Sequence, residues 1–286
     1  MKKRHLYFLF ALLLFACSIP SIPTQPVTTE APVVTEPPVV TEPPVVTEPP
    51  VVTLPPVVTN VVCNELAIYL DPALASGFDC QTIPESPYEM DTYPEHTELT
   101  LQGYLLADKF FEPHISIYSV QRFNELKPEF VPGFVSSLQT LISGGPAPVF
   151  TSFDTPHLPF LPVFNAAQVF FAQYQSLPFV SGGGIRFLTE FAQYSAPVNN
   201  NDLFYTYQGL TSDGLYWVSA ILPINNPILP ANADNPPGGV SWEDFSNNYE
   251  PYITAMVTQL NMLPPESFLP TLTALDTLVA SITVQP

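Results

Sequence analysis

The alternation of apolar and polar positions becomes regular about a third of the way along the chain. Leu99, Leu101 and Gly103 alternate with Thr100 and Gln102, the period-two signature of a half-buried strand. His114–Val120 repeats it through Ile115, Ile117 and Ser119. The period then changes. Phe134, Val135, Leu138, Leu141 and Ile142 share one helical face, and Gly144-Gly145 closes that helix because glycine enters the left-handed turn without a steric penalty. A proline-punctuated connection runs on to Pro162.

Two hairpins are predicted next. Val169–Tyr174 and Ile185–Gln193 flank a loop at Ser181–Gly184, and Leu203–Gly209 and Leu215–Leu222 flank Thr211–Gly214. Asp213-Gly214 supplies the positive φ that tight hairpin turns need. Ser241 with Asp244 reads as a capping box, and Trp242, Phe245, Tyr249, Tyr252, Ile253, Met256 and Leu260 follow at helical spacing. Pro251 kinks this helix or begins a second one. Behind Pro264-Pro265, Leu272, Leu275, Leu278, Val279 and Ile282 stripe a last helix. Strands early and central with helices at the end predict an α+β fold: an antiparallel sheet of about six strands packed with one central and two C-terminal helices.

The first sixty residues follow other rules. Lys2-Lys3-Arg4 precedes the apolar run Leu6–Ala16, which falls short of the ~20 residues a spanning helix needs. The run ends in Leu14-Phe15-Ala16-Cys17. Leu14, Ala16 and Cys17 resemble the bacterial lipoprotein signal, while Phe15 departs from the smaller residue usual there. The resemblance implies cleavage before Cys17 and lipid on that cysteine. It also implies an extracytoplasmic protein on the outer face of the cell membrane or on an outer membrane. Two or three acyl chains, at ~0.8 kcal/mol per buried methylene, hold firmly.

From Val33 the chain repeats Val-Val-Thr-Glu-Pro-Pro, with a Leu variant at 51–56. Paired prolines exclude helix and favour polyproline II, whose three-residue turn returns Glu30, Glu36, Glu42 and Glu48 to one edge. At ~3.1 Å per residue, residues 18–60 reach at most about 130 Å. The expected organisation is a signal peptide at 1–16, a lipidated cysteine and stalk at 17–60, and a globular domain at 61–286. The bland role for the stalk is a spacer; a ligand for proline-reading modules or a carrier of sugars are the sharper ones.

Charge narrows the partners. With Lys2, Lys3 and Arg4 in the leader, Lys109, Arg122, Lys127 and Arg186 face 26 acids, a balance of −22. Nucleic acid is held by clustered cations, so it is excluded as a partner, and direct adhesion to anionic headgroups is disfavoured. A protein or carbohydrate ligand is compatible with this surface.

Cys63 and Cys80, close in sequence in an exported chain, read as a disulfide contributing about 3 kcal/mol in the chain-entropy model. Gln81–Thr97 is expected as an irregular arm pinned by it. His96 and His157 fall in proline-rich loops and His114 at a strand start, with no HExxH, HxH or His-x3-His spacing. Neither Gly-x-Ser-x-Gly nor Ser-x-x-Lys occurs, and Gly182–Gly184 leads into a strand, where phosphate cradles lead into a helix. Arg186 beside those glycines is a weak anion contact. Asn225, Asn226, Asn232, Asp234 and Asn235 offer oxygen ligands suited to calcium, or equally Asx turns. Hence no catalytic residue, metal or cofactor is assigned. Tyr205, Tyr207, Tyr216 and Trp217 on facing strands serve either the core or, if exposed, stacking on sugar rings.

The strands Phe204–Leu210 and Tyr216–Pro223, followed by Trp242 and a closing helix, resemble the C-terminal half of PsbP-like domains over about 80 residues. That resemblance implies a sheet flanked by helices and a binding or assembly role without catalysis. An extracellular hydrolase of polysaccharide or peptide, and a structural envelope protein, are the alternatives.

Overall fold

The structure is a computed structural model and describes residues 59–86 and 92–285. The leader, Cys17 and the repeats through residue 58 lie outside the described residues.

Thr59–Cys63 (β1) and Leu66–Leu70 (β2) form a hairpin that turns at Asn64, which takes the left-handed conformation at φ 51°. Asparagine tolerates that region better than other side chains with a Cβ. Gly77–Ile83 (β3), His96–Gln102 (β4) and His114–Ser119 (β5) lead to the helices Val120–Leu126 (α1) and Val131–Ile142 (α2). After a long connection come the short strand Ala167–Gln168 (β6), then Ala172–Phe179 (β7), Gly182–Thr189 (β8) and the short Phe191–Ala192 (β9). Phe204–Thr211 (β10) and Tyr216–Pro223 (β11) form the last hairpin. The helices Trp242–Asn247 (α3), Tyr249–Met262 (α4) and Leu272–Ala280 (α5) and the short strand Thr283–Val284 (β12) complete the chain.

The main sheet has the order β3-β4-β5-β11-β10-β8-β7, with every neighbour antiparallel. A smaller sheet, β1-β2-β12, and the two-stranded ribbon β6–β9 accompany it. Helix α2 packs on β8 and β10 from the side of Gly183 and Leu210, and α5 packs on β7 and β2 from the other side. Both faces of the central strands are therefore covered, and all eight residues of β10 are buried. The mixed α+β class with antiparallel sheets is as expected.

The finer expectations change. The main sheet has seven strands, against the six expected, and three helices close the chain, against two. Pro251 begins α4 in its first turn, where its missing N–H has no partner to lose, so α3 and α4 separate at Asn248. Gly182–Gly184 are strand residues of β8 rather than a loop. A Cβ at Gly182 would stand 2.0 Å from the Leu210 carbonyl oxygen, and one at Gly184 would stand 2.4 Å from that of Gln208. Close approach of β10 thus requires glycine there. The expected arm at Gln81–Thr97 shrinks, because β3 runs to Ile83 and β4 begins at His96; Ser86 and Tyr93 pair between them. Arg122 of α1 then grips Glu85 through two hydrogen bonds, at 2.7 and 2.8 Å.

A polar row crosses the buried sheet. Glu98, Ser116, Ser219 and Gln208 are register partners on β4, β5, β11 and β10. Gln208 donates to Thr206 Oγ1 and Ser219 Oγ and accepts from Trp217 Nε1 (2.8 Å) and Leu161 N (3.0 Å). A fully satisfied buried amide fixes its neighbours, since each lost partner would leave a polar group stranded. Through Leu161, it ties the long α2–β6 connection to the sheet.

Candidate functional site

Where β8 ends, the chain leaves the sheet through Glu190, forms β9 and turns back through residues 197–202. Asn199, fully buried, organises that turn: its Oδ1 accepts from the N–H groups of Asn201 (2.9 Å) and Asp202 (3.2 Å). Such Asx bonds replace backbone pairing in a tight bend. Asn199 Nδ2 and Asn201 Nδ2 donate to the two oxygens of Asp202, at 2.8 and 2.7 Å. Beneath them Glu190 accepts the Asn199 N–H at 2.7 Å. Burial holds the Glu190 carboxyl pKa well above the carboxylate range, against the pull of that N–H, and Asp202 raises it further.

The β4–β5 loop docks on this turn. Lys109 Nζ donates to Asn200 O and Asn225 Oδ1, both at 2.6 Å, and Phe110 N donates to Asn201 O at 3.1 Å. This clamp presents Phe110, which is 69 % exposed, beside Phe111. Phe111 stacks on Phe164 with ring centroids 5.1 Å apart, and Phe164 meets Phe191 at 4.9 Å. The connection carrying Phe164 is held by Leu158 N to Gln168 Oε1 and by Gln193 Nε2 to Asn165 O.

Two open clefts result, sharing Asn165, Ala166, Ala192, Gln193 and Tyr194 as a common wall. One, about 680 Å³, is lined by Phe110, Phe111, Phe164 and Phe191 with Asn201, Asp202, Asn232 and Asp234. The other, about 720 Å³, is lined by Phe153, His157, Tyr249 and Gln168. Both volumes lie in the small-ligand range. Tyr194 on the shared wall is 62 % exposed. Tyr249 donates its hydroxyl to Ala196 O at 2.9 Å, and Tyr252 OH accepts from Val198 N at 3.0 Å, so α4 braces the wall from behind.

The residues singled out from sequence distribute as follows. Cys63 and Cys80 form a disulfide, Cα–Cα 5.5 Å, joining the end of β1 to β3. Cys17 lies outside the described residues. His96 sits in β4, not in a loop: it is buried, packed on Tyr118, and burial lowers its pKa. With Glu98 and His114 it borders a smaller cavity of about 320 Å³ that also touches Phe111 and Phe164. His157 lines the second cleft. Arg186 does not face an anion site: it is buried and pairs with Asp276 of α5 at 3.2 Å, where Tyr205 OH also donates to Asp276.

The five residues considered for calcium divide. Asn225 Oδ1 accepts from Lys109 and Asn226 Oδ1 from Ile228 N, Asn232 and Asp234 line the first cleft, and Asn235 is exposed beside them without lining it. Among the described residues no group of three or more His, Cys, Asp or Glu is arranged to hold a metal ion. Tyr205, Tyr207 and Trp217 are buried core, and Tyr216 is half-buried, so the row considered for sugar stacking is not exposed.

Compared with protein-family models, curated proteins and solved structures, the chain finds no match. Its site is therefore defined by geometry. The exposed aromatics of the two clefts, Phe110, Phe153 and Tyr194, were given no role from the sequence and share one legible trait. Each stands in a segment of turn-forming composition, where a large apolar side chain has no periodic pattern to join. Among the described residues no helix is long and apolar enough to cross a membrane.

Proposed function

We propose that this chain is an extracytoplasmic lipoprotein, tethered through lipid on Cys17 and a proline-rich stalk, whose domain binds a ligand in the paired clefts without chemical turnover. The observation that carries the binding reading is the joined pair of clefts with exposed aromatic rings on its walls. Apolar patches rimmed by polar groups on a soluble surface mark interaction sites. Asp202, placed in the cleft by the Asx turn, has both oxygens engaged by amide donors. A carboxylate spanned in this way is held in a fixed orientation as a hydrogen-bond acceptor. The likeness of β10 and β11 to PsbP-like strands is in keeping with a binding role.

Two experiments test the two halves. Mass spectrometry of the mature N-terminus is expected to find acylated Cys17, and Cys17→Ser to release the protein from membranes; a free, unacylated terminus overturns the anchor. Assays on polysaccharide and peptide substrates are expected to show no turnover. Hydrolysis abolished by Asp202→Asn would establish the hydrolase instead. Unchanged envelope architecture and fitness after deleting 61–286, but not after deleting the stalk, would establish the structural role.

A further inference from the structure

We infer that the ligand of the paired clefts is a neutral polysaccharide strand, laid across the Tyr194 wall with its rings stacked on the exposed aromatics; this rests on the binding reading above. Charge comes first. Arg122, Lys127 and Arg186 pair with acids (Arg122 with Glu85 and Glu125, Lys127 with Glu129, Arg186 with Asp276), and Lys109, held by Asn200 O and Asn225 Oδ1 near Asp202, is not among the residues lining either cleft. Neither cleft is lined by Lys or Arg, and the first carries Asp202 and Asp234. A phosphorylated or sulfated ligand would meet like charge with no Lys or Arg on the lining to pair with it. The same argument disfavours the chain's own acidic repeats, which carry Glu36, Glu42 and Glu48.

The polar lining then selects among uncharged ligands. Asn165, Gln193, Asn201 and Asn232 bring side-chain amides and Asp202 and Asp234 carboxylates; internal contacts take one hydrogen each of the Gln193 and Asn201 amides and one acceptor position on Asn232 and on each Asp202 oxygen, which leaves further donor and acceptor positions on those groups. Sugar hydroxyls are donor and acceptor at once and are matched by this set. Phe110, Tyr194 and Phe153 are exposed rings on the two clefts and their shared wall, available for stacking by a chain of flat, C–H-faced rings. Because the clefts share one wall, a polymer can occupy both where a monosaccharide fills one, and linked occupancy raises avidity without new contacts.

The test uses the full chain in detergent. Affinity electrophoresis is run through gels holding a neutral β-glucan, a mannan or a xylan, and separately heparin or polygalacturonate; a random dodecapeptide array provides the protein-ligand arm. At least one neutral polymer is expected to retard the protein, equally at low salt and at ~0.5 M salt, where charge interactions are screened. Phe110→Ala and Tyr194→Ala are each expected to weaken retardation about ten-fold, and Tyr194→Trp to preserve it. Retardation only by the anionic polymers overturns the inference. So does retardation by a neutral polymer that ignores both alanine variants. Binding confined to the peptides and lost in those variants overturns the sugar assignment and leaves the binding reading standing. Shortening of a polymer, lost in Asp202→Asn, overturns the non-catalytic reading and keeps the sugar. Failure across the whole panel overturns both.

Discussion

Trp217 in β11 and Phe110 in the β4–β5 loop are side chains of the same kind, yet the first is fully buried and the second 69 % exposed. The sheet region holds Trp217, Tyr205 and Tyr207 between two covering layers, with each polar tip bonded: Trp217 Nε1 to Gln208, Tyr205 OH to Asp276, Tyr207 OH to Leu177 O. The cleft region holds Phe110, Tyr194 and Phe153 on loops; Lys109 and Asn199 pin the turn beside Phe110, and Thr155 Oγ1 and Glu250 Oε1 accept the Ser152 and Phe153 N–H groups. Aromatic content therefore does not separate core from site in this protein. What separates them is whether the residue's element is covered on both sides. The comparison predicts opposite responses to mutation.

The largest effect is expected in the sheet. Trp217→Ala removes a fully buried indole and one of the two donors to Gln208 Oε1, so unfolding in urea should show a loss of about 3–5 kcal/mol; a loss under 1 kcal/mol would break the distinction. Replacing Cys63 and Cys80 together by serine should cost about 3 kcal/mol, read as an earlier denaturant midpoint that reduction of the wild type reproduces. Gly184→Ala pushes a methyl against the Gln208 carbonyl and the Tyr207 ring, and should cost about 1–3 kcal/mol.

Glu190 supplies a pH test between the two regions. Its folded pKa is raised above the ordinary value of 4.5, so the folded state holds a proton that the unfolded state releases. Its contribution to stability is present in acid and is lost as pH rises from about 4.5 through the raised value. His96, lowered by burial, acts in the opposite sense: its contribution is present above the ordinary value of 6.5 and is lost as pH falls through the lowered one. Comparing wild type with Glu190→Gln therefore isolates the acid. The variant should lack the alkaline decline, and parallel pH curves would sink the assignment. The smallest effect belongs to the cleft. Phe110→Ala and Tyr194→Ala should change stability by no more than about 0.5 kcal/mol, and a larger loss would make these rings part of the core.

How much of this was legible varies by element. The β10–β11 hairpin was plain because Asp213-Gly214 and its flanks agree, and Asp213 Oδ1 indeed accepts from Thr211 Oγ1 and Leu215 N in the turn. The end of α2 was plain for a similar reason, with Gly144 at φ 88°. Strand β3 was not, because its interior residues are all exposed on a sheet edge and show no alternation. Helix α1 has only Val120 and Phe123 buried, too few for a periodic stripe. The Gly182–Gly184 run looked like a loop because glycine signals both turns and close strand approach, and only the partner strand distinguishes them.

The sequence by itself determined the α+β class, the Cys63–Cys80 bridge, the hairpin turn and the terminal helices. All of these depend on residues near one another in the chain or on local conformational preference. It also supplied the strongly acidic charge balance, since that is a property of composition. Only the tertiary structure decided that Tyr205, Tyr207 and Trp217 are core, because an alternating strand does not state whether its second face meets water or another layer. Only the tertiary structure assembled the clefts as well. Their walls come from the loops near Phe110, Phe164, Tyr194 and Asp234, segments far apart in the chain and joined by side-chain hydrogen bonds that no local pattern encodes.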